Sequence, residues 1–382
     1  MNSWVGFHPP NATRSFCFST PFTKLFRPNP RKDPFQKMPP PSQVYATDRN
    51  GIIFVLDPTT LASVGSTWSS SLFTTFPGPA LFGLAYENSS NFLYTVGLPD
   101  GTGSSFFALT PTLNTTYSLT NPANPAPMPA NSFQPESIAV DSTNKRVFVA
   151  DPTRFLTAWN TNLAGTGGVF AQLAGSPYYP NNGVLRAQGV AYNPTANRVY
   201  VACQTLAGQD QLAVYDASTA PMTQISGSPF NLTLGLSTSH TSIAYDSVNN
   251  RILLTSLLGL IALNATTLAP IAGSPFPTGG TDPRGIALDT TNGRVYVTNF
   301  GSDSLAALTA STLAPISGSP YVTGHGPKSV VYYPTKNWVY VCNFNSNPGG
   351  ITVYNAAVTP MTAISGSPFE AGYSFTNLAI GP

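Results

Sequence analysis

The feature that most constrains this chain is a unit that recurs along most of its length. Its cleanest copy is residues 283–320, PRGIALDTTNGRVYVTNFGSDSLAALTASTLAPISGSP. GIALD alternates small and apolar residues, RVYVTN is rich in β-branched and aromatic residues, and TTNG between them is a turn. LAALT follows as a third strand and TLAPIS as a fourth, ended by Gly318-Ser319-Pro320. No segment sustains an apolar period of 3.6, so few helices are expected. A four-stranded meander of about 45 residues, repeated, is the signature of a propeller blade.

The first strand of the unit recurs as FGLAY (82–86), SIAVD (137–141), QGVAY (188–192), TSIAY (241–245), RGIAL (284–288), KSVVY (328–332) and TNLAI (376–380). The second recurs as QVYAT (43–47), NFLYT (91–95), RVFVA (146–150), RVYVA (198–202), RILLT (251–255), RVYVT (294–298) and WVYVC (338–342). The two series are out of phase. The chain opens on a second strand and closes on a first, so the C-terminal strand is expected to complete the N-terminal blade and leave no open edge. The expectation is an all-β, seven-bladed propeller of four-stranded blades over residues 43–382. Length alone suggests two or three domains, but a blade buries its faces only against its neighbours, which makes the repeat one domain.

Residues 1–42 are unlike the rest. They hold six bases and one acid and are rich in proline, and they read as a separate basic arm, disordered or loosely packed. They lack the unbroken apolar run of a secretory signal, and no stretch of the chain approaches a membrane span. The remainder carries 11 bases and 14 acids, so its mildly acidic body argues against nucleic acid as a partner. Charged residues are only 8% of the chain, with Ser, Thr and Asn in their place, a composition that suggests an extracellular, cell-surface or periplasmic setting. The chain is expected to be a monomer.

Two motifs punctuate the repeat. The turn between first and second strands reads DSTNKR, NPTANR, DSVNNR and DTTNGR. It is expected to be an Asx-capped turn whose Asp and Arg form an exposed ion pair worth roughly 0–1 kcal/mol. The other is GSP plus an aromatic, at 175–178, 227–230, 273–276, 318–321 and 366–369. Gly permits a bend, Pro cannot extend pairing, and the aromatic can fold back on apolar surface, so the motif is expected to end the outermost strand. The longest deviations, 120–134, 160–172 and 204–211, are expected to be rim loops.

With RVYVTN at Arg294–Asn299, PRGIALD before it, NFGSDS after it and GSPF between blades, residues 43–382 resemble the YVTN-repeat proteins, which belong with the seven-bladed lactonase-like propellers. That resemblance implies one of several roles: surface-layer or secreted proteins without known activity, sugar-lactone hydrolases, a muconate-lactonising enzyme, or cofactor-bearing electron-transfer subunits. The lactone enzymes of the group are expected to work with His, Arg and Glu at the channel mouth. No catalytic motif aligns residue by residue here.

The chain has no G-x-S-x-G, H-E-x-x-H, P-loop, G-x-G-x-x-G or C-x-x-C. Only His8, His240 and His325 are present, which excludes a three-histidine metal site within the repeat, and neither a metal nor a cofactor is expected. Cys17, Cys203 and Cys342 make no disulfide framework, and the latter two read as small buried residues. Sequons at Asn88, Asn114, Asn231 and Asn264 matter only in a eukaryotic host.

One constellation remains. The residue two before the central apolar of each first strand is Phe82, Glu136, Gln188, Thr241, Arg284, Lys328 and Thr376 in successive repeats. First strands line the channel, so these residues ring one mouth of it, with His240 and His325 close by in sequence. Gln188, Arg284, Lys328 and His325 are the candidate ligand-binding residues, and His240 and Glu136 the candidate general bases. Two readings follow. The chain is a secreted or surface binding module for an unknown protein, glycan or small acidic ligand, or it is a lactone hydrolase or cyclase working at that mouth.

Overall fold

The computed structural model describes residues 43–48, 52–62, 68–69, 81–97, 105–110, 115–116, 126–127, 137–151, 155–162, 170–180, 185–205, 207–232, 241–345, 350–370 and 374–381. The basic N-terminal arm and most of 120–134 and 160–172 lie outside these residues. The fold is an all-β propeller of short meanders. Its described strands fall into seven antiparallel sheets, and the helical element among them is one 3-10 turn, Phe300–Ser302.

The sixth sheet shows the plan: Pro283–Asp289, Arg294–Asn299, Ser304–Thr309 and Tyr321–Val322 lie side by side in chain order. The first sheet departs from chain order. Its innermost strand is the C-terminal Phe375–Ile380, which pairs with Val44–Asp48, Val44 opposite Ile380 and Tyr45 opposite Ala379. Each innermost strand touches the innermost strand of the next sheet, from Phe375–Ile380 through Leu81–Glu87 and onward to Pro327–Tyr333, which touches Phe375–Ile380 again.

The second strands explain why the repeat holds together. They are buried on both faces, so their sequences run apolar without alternating. Val295 and Val297 pack with Leu253 of the fifth sheet, while Tyr296 packs with Val339 and Val341 of the seventh. In the same way Tyr340 and Cys342 of the seventh sheet share a cluster with Val44, Ala46 and Phe54 of the first.

Two expectations are corrected. The Asp–Arg pairs are not exposed: side-chain exposure is 10% and 1% for Arg146 and Asp141, and 4% and 5% for Arg251 and Asp246. The Asx turn itself forms, with the Asn144, Asn249 and Asn292 N–H groups donating to Asp141, Asp246 and Asp289. Burial follows from what the arginines reach. Arg146 donates to the Ala217 carbonyl, Arg251 to Ala310 and Arg294 to Ala356, each in the following sheet. Arg294 does so without an Asp289 ion pair; that carboxylate instead accepts from the Tyr296 hydroxyl at 2.8 Å.

The GSP motif interrupts the outer strand and does not end it. In the fourth sheet Thr223–Gln224 pairs with Tyr215 and Asp216, and after the motif Phe230–Asn231 pairs again with Leu212 and Gln211. The seventh sheet repeats this with Thr362–Ala363 and Phe369–Glu370. The serine closes the gap. The hydroxyls of Ser176, Ser228, Ser274, Ser319 and Ser367 accept from the third-strand N–H groups of Ala158, Val214, Ala262, Ala307 and Val353, at 2.8–3.1 Å. The motif glycines have φ between +81° and +90°, where a Cβ is strained.

Candidate functional site

At the inner end of the sheets lies a cavity of about 270 Å³, and residues of all seven innermost strands or the segments leading into them line it. Two residues along each innermost strand from the mouth position, every sheet contributes an aliphatic residue to the lining: Leu84, Ile138, Val190, Ile243, Ile286, Val330 and Leu378, with Val331 beside Val330. Nearer the mouth the lining is polar, with Gln188, Thr241, Arg284 and Lys328. Along Pro283–Asp289 burial alternates, so that Arg284, Ile286 and Leu288 share the half-buried face and their neighbours are buried.

A register shift in five of the sheets marks this ring. Leu81 pairs with Gly97 and Gly83 with Val96, passing over Phe82. The same shift passes over Gln188, over Lys328 and over Thr376, and in the sixth sheet over Arg284 with Gly285. A bulged residue leaves the ladder and its side chain is re-aimed. Five of the seven residues that the repeat places at the mouth, Phe82, Gln188, Arg284, Lys328 and Thr376, are thus passed over in the pairing.

Arg284 is held on three sides. Its Nε and Nη2 donate to Asp282 Oδ2 at 3.2 and 2.8 Å, and its guanidinium carbon lies 3.3 Å from the centre of the Phe300 ring. The Thr255 hydroxyl, on the neighbouring sheet, donates to its carbonyl at 3.2 Å. Lys328 is arranged alike. Its Nζ lies 5.5 Å from the Phe344 ring centre, and the Thr298 hydroxyl donates to its carbonyl at 3.3 Å. Phe300 and Phe344, in the turns between second and third strands, are 6.4 Å apart. A cation set over a ring face is attracted by the negative face of the ring.

Gln188 is 5% exposed and Thr241 is 3% exposed. Among the described residues the Thr241 hydroxyl has no hydrogen-bond partner. Serines tie neighbouring strands around the mouth: Ser137 accepts from the Val190 N–H at 3.1 Å and Ser329 from the Leu378 N–H at 3.4 Å.

Of the sequence candidates, Gln188, Arg284 and Lys328 line this one cavity. His325 does not line it. Its side chain is 79% exposed, and its Nδ1 lies 2.8 Å from Asp303 Oδ2, which fastens the loop before Lys328 to the turn after Arg294–Asn299. Glu136 and His240 lie outside the described residues, although their chain neighbours Ser137 and Thr241 line the cavity. Sequence reasoning missed Asp282, Phe300, Phe344 and the two threonines. Asp282 has φ +51°, and an acid two residues before a candidate arginine was the available signal.

The cysteines stand apart from this chemistry. Burial pushes the Cys203 thiol up to about 12 and the Cys342 thiol up to about 11, so neither supplies a thiolate near neutral pH. Among the described residues no cluster of His, Cys, Asp and Glu is arranged to hold a metal ion.

Comparison with known proteins gives likeness at the level of fold. A crystal structure of a protein from Lactobacillus plantarum is similar over 89% of this chain and 98% of its own, at 17% identity and a TM-score of 0.64. The structure of U3-55K is similar over 72% of this chain and 77% of its own, at 10% identity and a TM-score of 0.51. No family model matches the chain, and no curated protein does.

Proposed function

We propose that this protein is a binding module: a closed, seven-bladed propeller akin to the YVTN-repeat, lactonase-like group, which takes a small polar organic anion at the mouth of its channel. The observation that carries this reading is the coincidence of ring and bulge. The positions passed over by the register shifts include Gln188, Arg284 and Lys328, and these line one cavity with two cations among them. Only 8% of the chain is charged, so two fixed cations at one opening are costly to place by chance. Arg284 and Lys328 supply the attraction, and Gln188 and Thr241 supply neutral polar contacts that orient the ligand. A secreted or surface setting fits the low-charge composition.

The rival reading places a lactone hydrolase or lactonising enzyme at the same mouth, with Arg284 and Lys328 stabilising an oxyanion and His240 or Glu136 as base. A panel of sugar lactones and muconate-type acids separates the two. The binding reading expects no turnover. Turnover that falls about 100- to 1000-fold in Arg284→Ala and His240→Ala establishes the enzyme in its place.

A further inference from the structure

The guanidinium of Arg284 has one edge already filled. Nε and Nη2, the fork that would take a ligand carboxylate or phosphate side-on, both donate to Asp282 Oδ2. The two side chains are largely shielded, at 14% and 26% exposure, so the pair is not a loose surface contact.

The backbone is built to hold that acid there. Asp282 sits at φ +51°, a left-handed conformation, immediately before Pro283, where steric crowding favours extended geometry. Its carbonyl accepts from the Phe300 N–H at 2.9 Å, and the Thr281 N–H donates to Ser302 Oγ at 3.0 Å, clamping the segment to the turn that carries Phe300. Among the described residues Arg284 Nη1 makes no hydrogen bond, so its two N–H groups and the second N–H of Nη2, the end-on edge of the guanidinium, remain for a ligand.

We propose that Asp282 is a specificity-determining residue of the channel mouth. It occupies the side-on Nε/Nη2 edge of Arg284 and sets a negative charge beside the ligand position, so that the mouth accepts a singly charged anion on the remaining edge and rejects a doubly charged one such as a phosphate. Repulsion grows with ligand charge, and a built-in repulsive group is how a site discriminates between anions it could otherwise attract. This rests on the reading of the mouth as an anion site.

The test is calorimetric titration of the full chain with acetate and with inorganic phosphate at pH 8, using wild type, Asp282→Asn and Arg284→Gln. Asparagine tolerates the left-handed backbone and keeps the side-chain size while removing the charge. The expected result is that wild type favours acetate, and that Asp282→Asn improves phosphate binding by about tenfold or more relative to acetate. A phosphate gain no larger than the acetate gain, or a wild type that already prefers phosphate, overturns the role of Asp282 and leaves the anion site standing. Absence of any Arg284-dependent binding, in wild type and Asp282→Asn alike, removes the anion site and this inference with it. Asp282→Gly, which also permits positive φ, gives the same comparison should the asparagine variant not fold.

Discussion

Ser319 does more for the fold than its place in a turn motif suggests. Its hydroxyl is the acceptor for the Ala307 N–H at 2.9 Å, on a residue whose carbonyl already accepts from the Ile316 N–H of the outer segment. Ser319→Ala should cost about 1–3 kcal/mol, read by urea denaturation, because a shielded donor is left unmade. The glycine and proline of the motif were legible in the sequence because their backbone limits are intrinsic. The serine was not, because its partner is remote in sequence. Asp141 and Arg146 teach the same lesson: their spacing announced a pair, but burial depended on Ala217 in the next sheet. Burial pushes the Asp141 carboxyl up, yet hydrogen bonds from Asn144 and Arg146 outweigh it and hold the group below the ordinary carboxylate range. A depressed folded value contributes stability above the unfolded value near about 4, and that stability is lost as pH falls through the folded value. Asp141→Asn should therefore be less stable than wild type at pH 7, with the gap closing below about pH 4 in a series of thermal melts.

At the scale of the element, the innermost strand is a compromise between pairing and access. The alternation in GIALD predicts a strand, and Pro283–Asp289 is one. Where that strand leaves the ladder was not legible, because a bulge is set by the partner strand's register as much as by local sequence. Gly285 shows the constraint. A Cβ there would lie 2.8 Å from the Lys328 carbonyl oxygen and 3.1 Å from Ser329 Cα, both on the adjoining strand. Gly285→Ala should cost about 1–3 kcal/mol, since backbone cannot yield as a flexible side chain does. It should also displace Lys328, so ligand affinity at the mouth should fall more than in a surface variant of equal stability loss.

The whole molecule depends on joining its ends. The out-of-phase repeats made the partnership of the two terminal strands legible, and Phe375–Ile380 does pair with Val44–Asp48. Phe375 is fully buried and Leu378 is 4% exposed, so this strand is core to the first sheet. Truncation after Gly372 should abolish the cooperative thermal transition of the full chain, and an unchanged melt would show that the contact is dispensable. The mouth was legible only as a ring of sequence positions. Thr255 and Thr298 hold one place in the second-strand repeat and Phe300 and Phe344 another, but which carbonyl or cation each meets is set where neighbouring strands pack and was not legible. That ring is the claim on which the functional account stands. Calorimetric titration of the full chain with a panel of small carboxylates, for wild type and the Arg284→Gln/Lys328→Gln double variant, tests it most directly. Binding of at least one member is expected, weakened about tenfold or more in the double variant, the effect of losing hydrogen bonds to charged groups. Equal affinity in the two proteins, or no binding of any member to wild type, would contradict it.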